Sequence, residues 1–400
     1  MIIKQIVSVI TSLRLTVTCL SFSMLIVFVG TLAQVNQGLY IVQERYFKSF
    51  LVFWGPSGSD WQVPVMPGGY LVGILLLTNL TAAFFKRFKL TRKKFGIYMS
   101  HAGLIVLLLG QIFTDILSRE SAMEIKESGT SSHSADFKLN ELVLIDQSKD
   151  DEDTVYSVPE ALLQSKEGAT LGEDPLPFRI NVLAYWANAS LKGKPETGYT
   201  RVDAITGFPD VYIKTLPPET AMDRRDAGAA ILELLEDGNS IGKWLVSTIL
   251  DPQTIEHDGK IYALDMRPKR YYENFSITLL RATHENYTGT NEPKNFASRV
   301  QLRNGQTGED RELLIYMNHP LRYQGLTFFQ HQMTAGEMVR RQGMTASSTF
   351  QVVKNPTWLT PYLGCALVGI GLTIQFMVHL VGFTRKRKSS QGHSGPAVTK

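Results

Sequence analysis

The chain has 400 residues, of which 44% are hydrophobic and 20% charged, with a formal net charge of +4. That average joins two unlike parts: residues 118–357 carry 26 basic and 34 acidic side chains, whereas the remainder carries 15 basic and 3 acidic. The basic excess flanks apolar stretches instead of marking a folded surface, which argues against nucleic acid as a partner.

Four stretches contain no Lys, Arg, Asp or Glu: Leu15 to Gln43, Trp61 to Phe85, Phe95 to Thr114 and Asn355 to Thr384. Each is long enough to cross a hydrocarbon core, which takes about 20 helical residues. A wholly soluble enzyme is therefore excluded. The first span, about residues 15–33, follows Lys4 and Arg14. It exceeds the apolar length of a signal peptide and is expected to stay as an anchor. From Leu39 to Trp54 an aromatic-rich segment predicts a short helix, lying at the membrane interface or packed on an external domain. The second and third spans, about 68–85 and 95–113, are joined by the basic run Lys86 to Lys94. The fourth span, 358–384, is followed by Arg385-Lys386-Arg387-Lys388. The positive-inside rule puts both basic segments and both termini in the cytoplasm and residues 118–357 outside, as in a multi-pass protein of the inner membrane. Residues 385–400 read as a disordered tail.

Residues 118–357 predict a mainly antiparallel β domain. Short alternating runs recur at Phe137 to Ile145, Phe178 to Trp186, Lys243 to Leu250, Lys260 to Met266, Phe275 to Arg281, Arg299 to Leu302, Glu312 to Met317, Leu326 to Gln332 and Thr349 to Val353, with turn formers between them. One insertion, Arg224 to Glu236, has a helical period and predicts a helix. Lys149 to Asp153 reads as a solvated acidic loop.

The sequence carries no phosphate-binding glycine loop, zinc-protease motif or nucleophile elbow. Both cysteines, Cys19 and Cys365, lie in apolar spans, and no Cys-x-x-Cys-His exists for attaching haem to this chain itself. Two histidines stand inside spans. His101 lies in the third, two residues before Gly103. It either hydrogen-bonds within the bundle, to Ser100 or Gln111 for example, or faces a cofactor. His379 in the fourth span falls in the same cytoplasmic half, where the two imidazoles could share a haem iron, or His379 could snorkel to the interface. His319 and His331 are expected at the surface of the β domain.

The layout of three spans, an external domain and a fourth span resembles the ResB family of cytochrome c biogenesis proteins, also called CcsB, of System II. The matching residues are Ser12-Leu-Arg14-Leu, Gly30-Thr31-Leu, His101-x-Gly103 and Pro293-Lys-x-Phe296-x-Ser298-x-Val300. Asn318-His-Pro320-Leu-x-Tyr-x-Gly325-x-x-Phe328-x-Gln330 and Val352-Val-Lys-Asn355-Pro356 complete the set. The resemblance implies a non-autonomous subunit of a haem-delivery and cytochrome c synthase complex, acting on apocytochrome c. It implies a CcsA-type (ResC) membrane partner that carries the Trp-rich haem-handling motif, since the five tryptophans here are never clustered. It also implies that His101 supplies one axial ligand to a transient haem b shared with that partner; His379 has no counterpart in the resemblance and stays a second candidate by its depth in the span alone. The alternative is a membrane-anchored sensory or binding module with a ligand-binding β domain and no cofactor.

Overall fold

The computed structural model describes residues 2–55, 61–87, 91–149, 152–172, 176–202, 206, 210–219, 225–236, 238–286, 293–335, 339 and 343–391. The chain forms two compact units, Met1–Arg119 with Asn355–Lys400, and Glu120–Lys354.

Among the described residues, the first unit holds four helices long and apolar enough to cross a membrane: α1 (Leu13–Gln37), α2 (Gly69–Arg87), α3 (Phe95–Leu117) and α4 (Thr360–Gln391). Ser12 caps α1 by accepting a hydrogen bond from the Leu15 amide, and Gly38 ends it at φ 79°, a conformation costly for any residue with a Cβ. Asn79 of α2 is buried; it accepts from the Thr16 hydroxyl at 2.6 Å and donates to the Ile10 carbonyl at 2.6 Å. A buried amide satisfied this way fixes the α1–α2 pair more specifically than apolar contact alone. The Leu39 to Trp54 segment is helical only through Phe47. It then turns into the strand Leu51–Trp54, paired with Val63–Pro67. The basic residues after the fourth span continue α4 to Gln391, where a disordered tail was expected; residues 392–400 lie outside the described ones. Arg and Lys are good helix formers, so the charge cluster ends the apolar stretch without ending the helix.

The second unit is antiparallel β. Its main sheet uses β1 (Arg119–Lys126), β2 (Thr130–Asp146), β3 (Thr154–Pro159), β7 (Gln253–His257), β8 (Lys260–Asn286), β9 (Pro293–Asn304), β10 (Glu309–Tyr316), β11 (Leu321–Tyr323), β12 (Leu326–Thr334) and β13 (Ser347–Lys354). The order is β10-β9-β8-β2-β1-β13-β12-β11, with β3 on β2 and β7 on β8. A second sheet is built on β4 (Arg179–Trp186), β5 (Ala229–Glu236) and β6 (Asn239–Ser247). Strand β8 joins two segments that read separately in the sequence, and its pairing with β2 is interrupted at Pro268 and again after Tyr272. Proline has no amide to give the ladder, so the strand bends there. One core gathers around Phe275, Phe328 and Phe350, and another around Leu144, Leu232 and Leu264.

The helix expected over Arg224 to Glu236 is corrected: Ala229–Glu236 is a central strand between β4 and β6. Ala229, Ala230, Leu232 and Leu234 are all fully buried. Ile231 and Leu235 put apolar residues on its half-buried face as well, and such a run also satisfies a helical period. Of the acidic run, Asp150 and Asp151 lie outside the described residues.

Candidate functional site

His101 owes its setting to two faces of α3. Gly96, Gly103 and Gly110 recur every seven residues and form one face, which is closed against α4 running antiparallel. A Cβ on Gly103 would come within 2.8 Å of the Gly364 carbonyl and of Val368, and one on Gly96 within 2.5 Å of the Gly371 carbonyl. The backbones therefore touch along a seam that only glycine permits. His101 stands two residues, about 200° of helix, away from Gly103 and so faces elsewhere. Tyr98, three residues earlier on the His101 side, meets Phe84 of α2 edge-on at 5.9 Å, so that face looks toward α2.

The His101 ring is half-buried, with Nδ1 2.8 Å from the Ile97 carbonyl. A carbonyl only accepts, so Nδ1 carries a proton, and no described hydrogen bond engages Nε2. Metal-ligating histidines are commonly oriented in this way. The neighbours open in the sequence reading go elsewhere: Ser100 donates to the Gly96 carbonyl, and no described hydrogen bond joins His101 to Gln111.

His379 is placed differently. It is exposed, and its Nε2 lies 2.9 Å from the Gln375 side-chain amide. Gly96 sits opposite Gly371 and Gln375. From that register, His101 and His379 are offset by about 17 Å along the antiparallel helices at 1.5 Å per residue. The structure does not bring the two rings to one level, and the nitrogen His379 would offer is engaged within α4.

The β unit assembles the other signature residues. Ser298 of β9, fully buried, lies 2.7 Å from Gln330 Oε1 and 2.8 Å from Ser348 Oγ, and Gln330 Nε2 donates to Ser348 at 2.9 Å. Segments far apart in the chain are locked by one network. Beside it, His284 stacks on Phe296 with centroids 4.4 Å apart, and an open hollow is lined by both together with Glu124, His331 and Met333. The β12–β13 register slips between Gln330 and Gln332, so His331 is the extra residue of a bulge, a device that re-aims a side chain. His319 stacks on Tyr316 at 4.3 Å in the turn where Asn318 takes φ 63°.

Sequence reasoning did not single out His257 or His284. His257 Nε2 lies 2.7 Å from Glu236 across the end of the second sheet, with Asp258 beside it. Only the meeting of the ends of β5 and β7, strands of different sheets, makes that grouping, and no local motif announces it. His133, packed against Tyr272 at 5.6 Å, is held below the ordinary imidazole range by burial and then by the charges of Arg270 and Arg267.

Residues 256–346 match the ResB-like family. The chain is also similar to Protein NrfI of Wolinella succinogenes, with 25% identity over 306 residues, which cover 76% of this chain and 29% of that protein. The chain thus spans less than a third of the length of the relative it matches. Both findings support the relationship drawn from the signature residues, and the matched stretch contains His284, Ser298, Asn318, Gln330 and His331.

Proposed function

We propose that this chain, a ResB-like protein by its matched β segment and its relative, serves cytochrome c biogenesis as a subunit of a System II haem-delivery and synthase complex. The observation that carries the reading is the ResB-like match inside a β unit whose flanking sequence supplies four helices fit to cross a membrane. On this reading the helices lie in the inner membrane, with both basic segments in the cytoplasm and the β unit on the outer side.

His101 fits the haem that the family implies. Its Nδ1 bond to the Ile97 carbonyl fixes the ring and leaves Nε2 as the nitrogen that would ligate iron. A CcsA-type subunit would supply the second ligand, because His379 stands at another level of the helix pair. Haem b, when bound, brings the vinyl groups to which apocytochrome thiols add. This chain contributes a fixed imidazole, a helix seam that keeps it in place and a β unit facing the substrate.

The test is maturation of a reporter bearing Cys-x-x-Cys-His, co-expressed with the CcsA-type subunit in the presence or absence of this chain. Covalent haem on the reporter is expected only when both are present. Full maturation by the partner alone would overturn the assignment.

A further inference from the structure

Farther along the His101 stripe of α3, Leu108 and Asp115 follow at seven-residue intervals and border a half-open cavity of about 950 Å³, lined by α1, α2, α3 and the helical segment Gln43–Phe47. Most of its wall is apolar. One end is not: Lys48 Nζ lies 3.1 Å from Glu44 and 3.3 Å from Asp115, and the Tyr70 hydroxyl donates to the second Asp115 oxygen. Burial opposes the charge on Lys48, but Glu44 and then Asp115 outweigh it and hold the ammonium above the usual lysine range.

The glycines of the wall separate packing from vacancy. Gly30 is closed by the Phe47 ring at 3.0 Å and Gly69 by the Phe47 backbone, as tight packing requires. Gly73 is in the interior of α2, where glycine costs about 0.5–1 kcal/mol relative to alanine. A Cβ there would meet nothing within 4 Å. Its missing side chain serves no close contact within the chain; it keeps space.

We infer that this cavity holds one membrane phospholipid with a zwitterionic amino-phosphate head, its chains along Phe47 and Gly73 and its head against Lys48 and Asp115. The inference rests on the reading that the helices cross a membrane. Charges of both signs within 3.3 Å of each other suit a head that carries both. Glu44 and Asp115 oppose an anionic head, whereas a primary ammonium donates to them as a quaternary one does not. Among the described lining residues there is no His, Cys or Met to hold iron, and the Tyr70 hydroxyl is engaged by Asp115, so the cavity is distinct from the haem position at His101.

The full chain, reconstituted with equal phosphatidylethanolamine and phosphatidylglycerol and then re-extracted, is to be examined by native mass spectrometry. One retained phosphatidylethanolamine is expected, favoured over phosphatidylglycerol by about tenfold, the ratio equivalent to one charge-assisted contact. Gly73→Phe should fill the tail space and abolish retention, Gly73→Ala should keep it, and Lys48→Gln or Asp115→Asn should erase the preference. Equal retention of the two lipids, retention undiminished in a folded Gly73→Phe chain, or displacement by a short-chain quinol would overturn the inference. Alkaline extraction of the same membranes separates the causes. A chain that stays in the membrane but retains no lipid refutes the cavity assignment alone, whereas a chain that washes off refutes the membrane reading beneath it.

Discussion

Alanine at two glycines of neighbouring helices should change stability in opposite directions. Replacing a helical glycine by alanine gains about 0.8–1 kcal/mol of propensity wherever the methyl group has room. At Gly73 it has room, so Gly73→Ala should stabilise by about 0.5–1 kcal/mol. At Gly103 the methyl carbon would lie 2.8 Å from the Gly364 carbonyl and 2.9 Å from the Val368 amide nitrogen. Backbone atoms cannot rotate aside, so α3 and α4 must part, and overpacking of this kind costs about 1–3 kcal/mol. After subtracting the propensity gain, Gly103→Ala should destabilise by up to about 2 kcal/mol. Unfolding of the full chain in mixed micelles by added denaturing detergent, followed by helical circular dichroism, measures both. If Gly103→Ala stabilised as much as Gly73→Ala, the glycine seam would not be a contact and the orientation of His101 derived from it would fall.

Two further outcomes concern the β unit. Arg267 and Glu141 form a buried ion pair at 3.1 Å, and Glu141 also accepts from Ser157 at 2.7 Å. Arg267→Met strands that carboxylate and should cost about 3–5 kcal/mol in denaturant unfolding, most of it recovered when Glu141 is also made apolar. His133 is held below the ordinary value of 6.5 by burial and by Arg270 and Arg267. The folded state therefore favours the neutral ring, and its contribution is complete above the unfolded value and lost as pH falls through the lowered folded one. His133→Gln should flatten the fall in thermal midpoint below about pH 6.5; an unchanged slope would refute it.

How far the sequence could be read depended on how local each signal was. Charge-free stretches revealed the four helices, and alternation revealed strands such as Leu326–Thr334, because one covered face suffices to write that pattern. Ala229–Glu236 was misread because Ile231 and Leu235 put apolar residues on its half-buried face as well, which blurs the alternation. The break at Pro268 hid the continuity of β8, which its ladder partners maintain on either side. His101 stood out as a lone imidazole among apolar residues, and its carbonyl partner Ile97 is only a turn away. The offset of His379 was not legible, since it depends on the register of Gly96 against Gly371. Nor was the polar end of the cavity, where Lys48, Tyr70 and Asp115 meet from separate elements.

On the proposed function, the imidazole of His101 ligates haem iron between this chain and a partner. The most direct measurement is the absorption spectrum of the complex co-purified with a CcsA-type subunit, with His101 intact and as His101→Ala. A Soret band that is lost or sharply weakened in the variant, and restored by added imidazole, is expected. A colourless complex, or pigment unchanged by the substitution in the absence of imidazole, would contradict it.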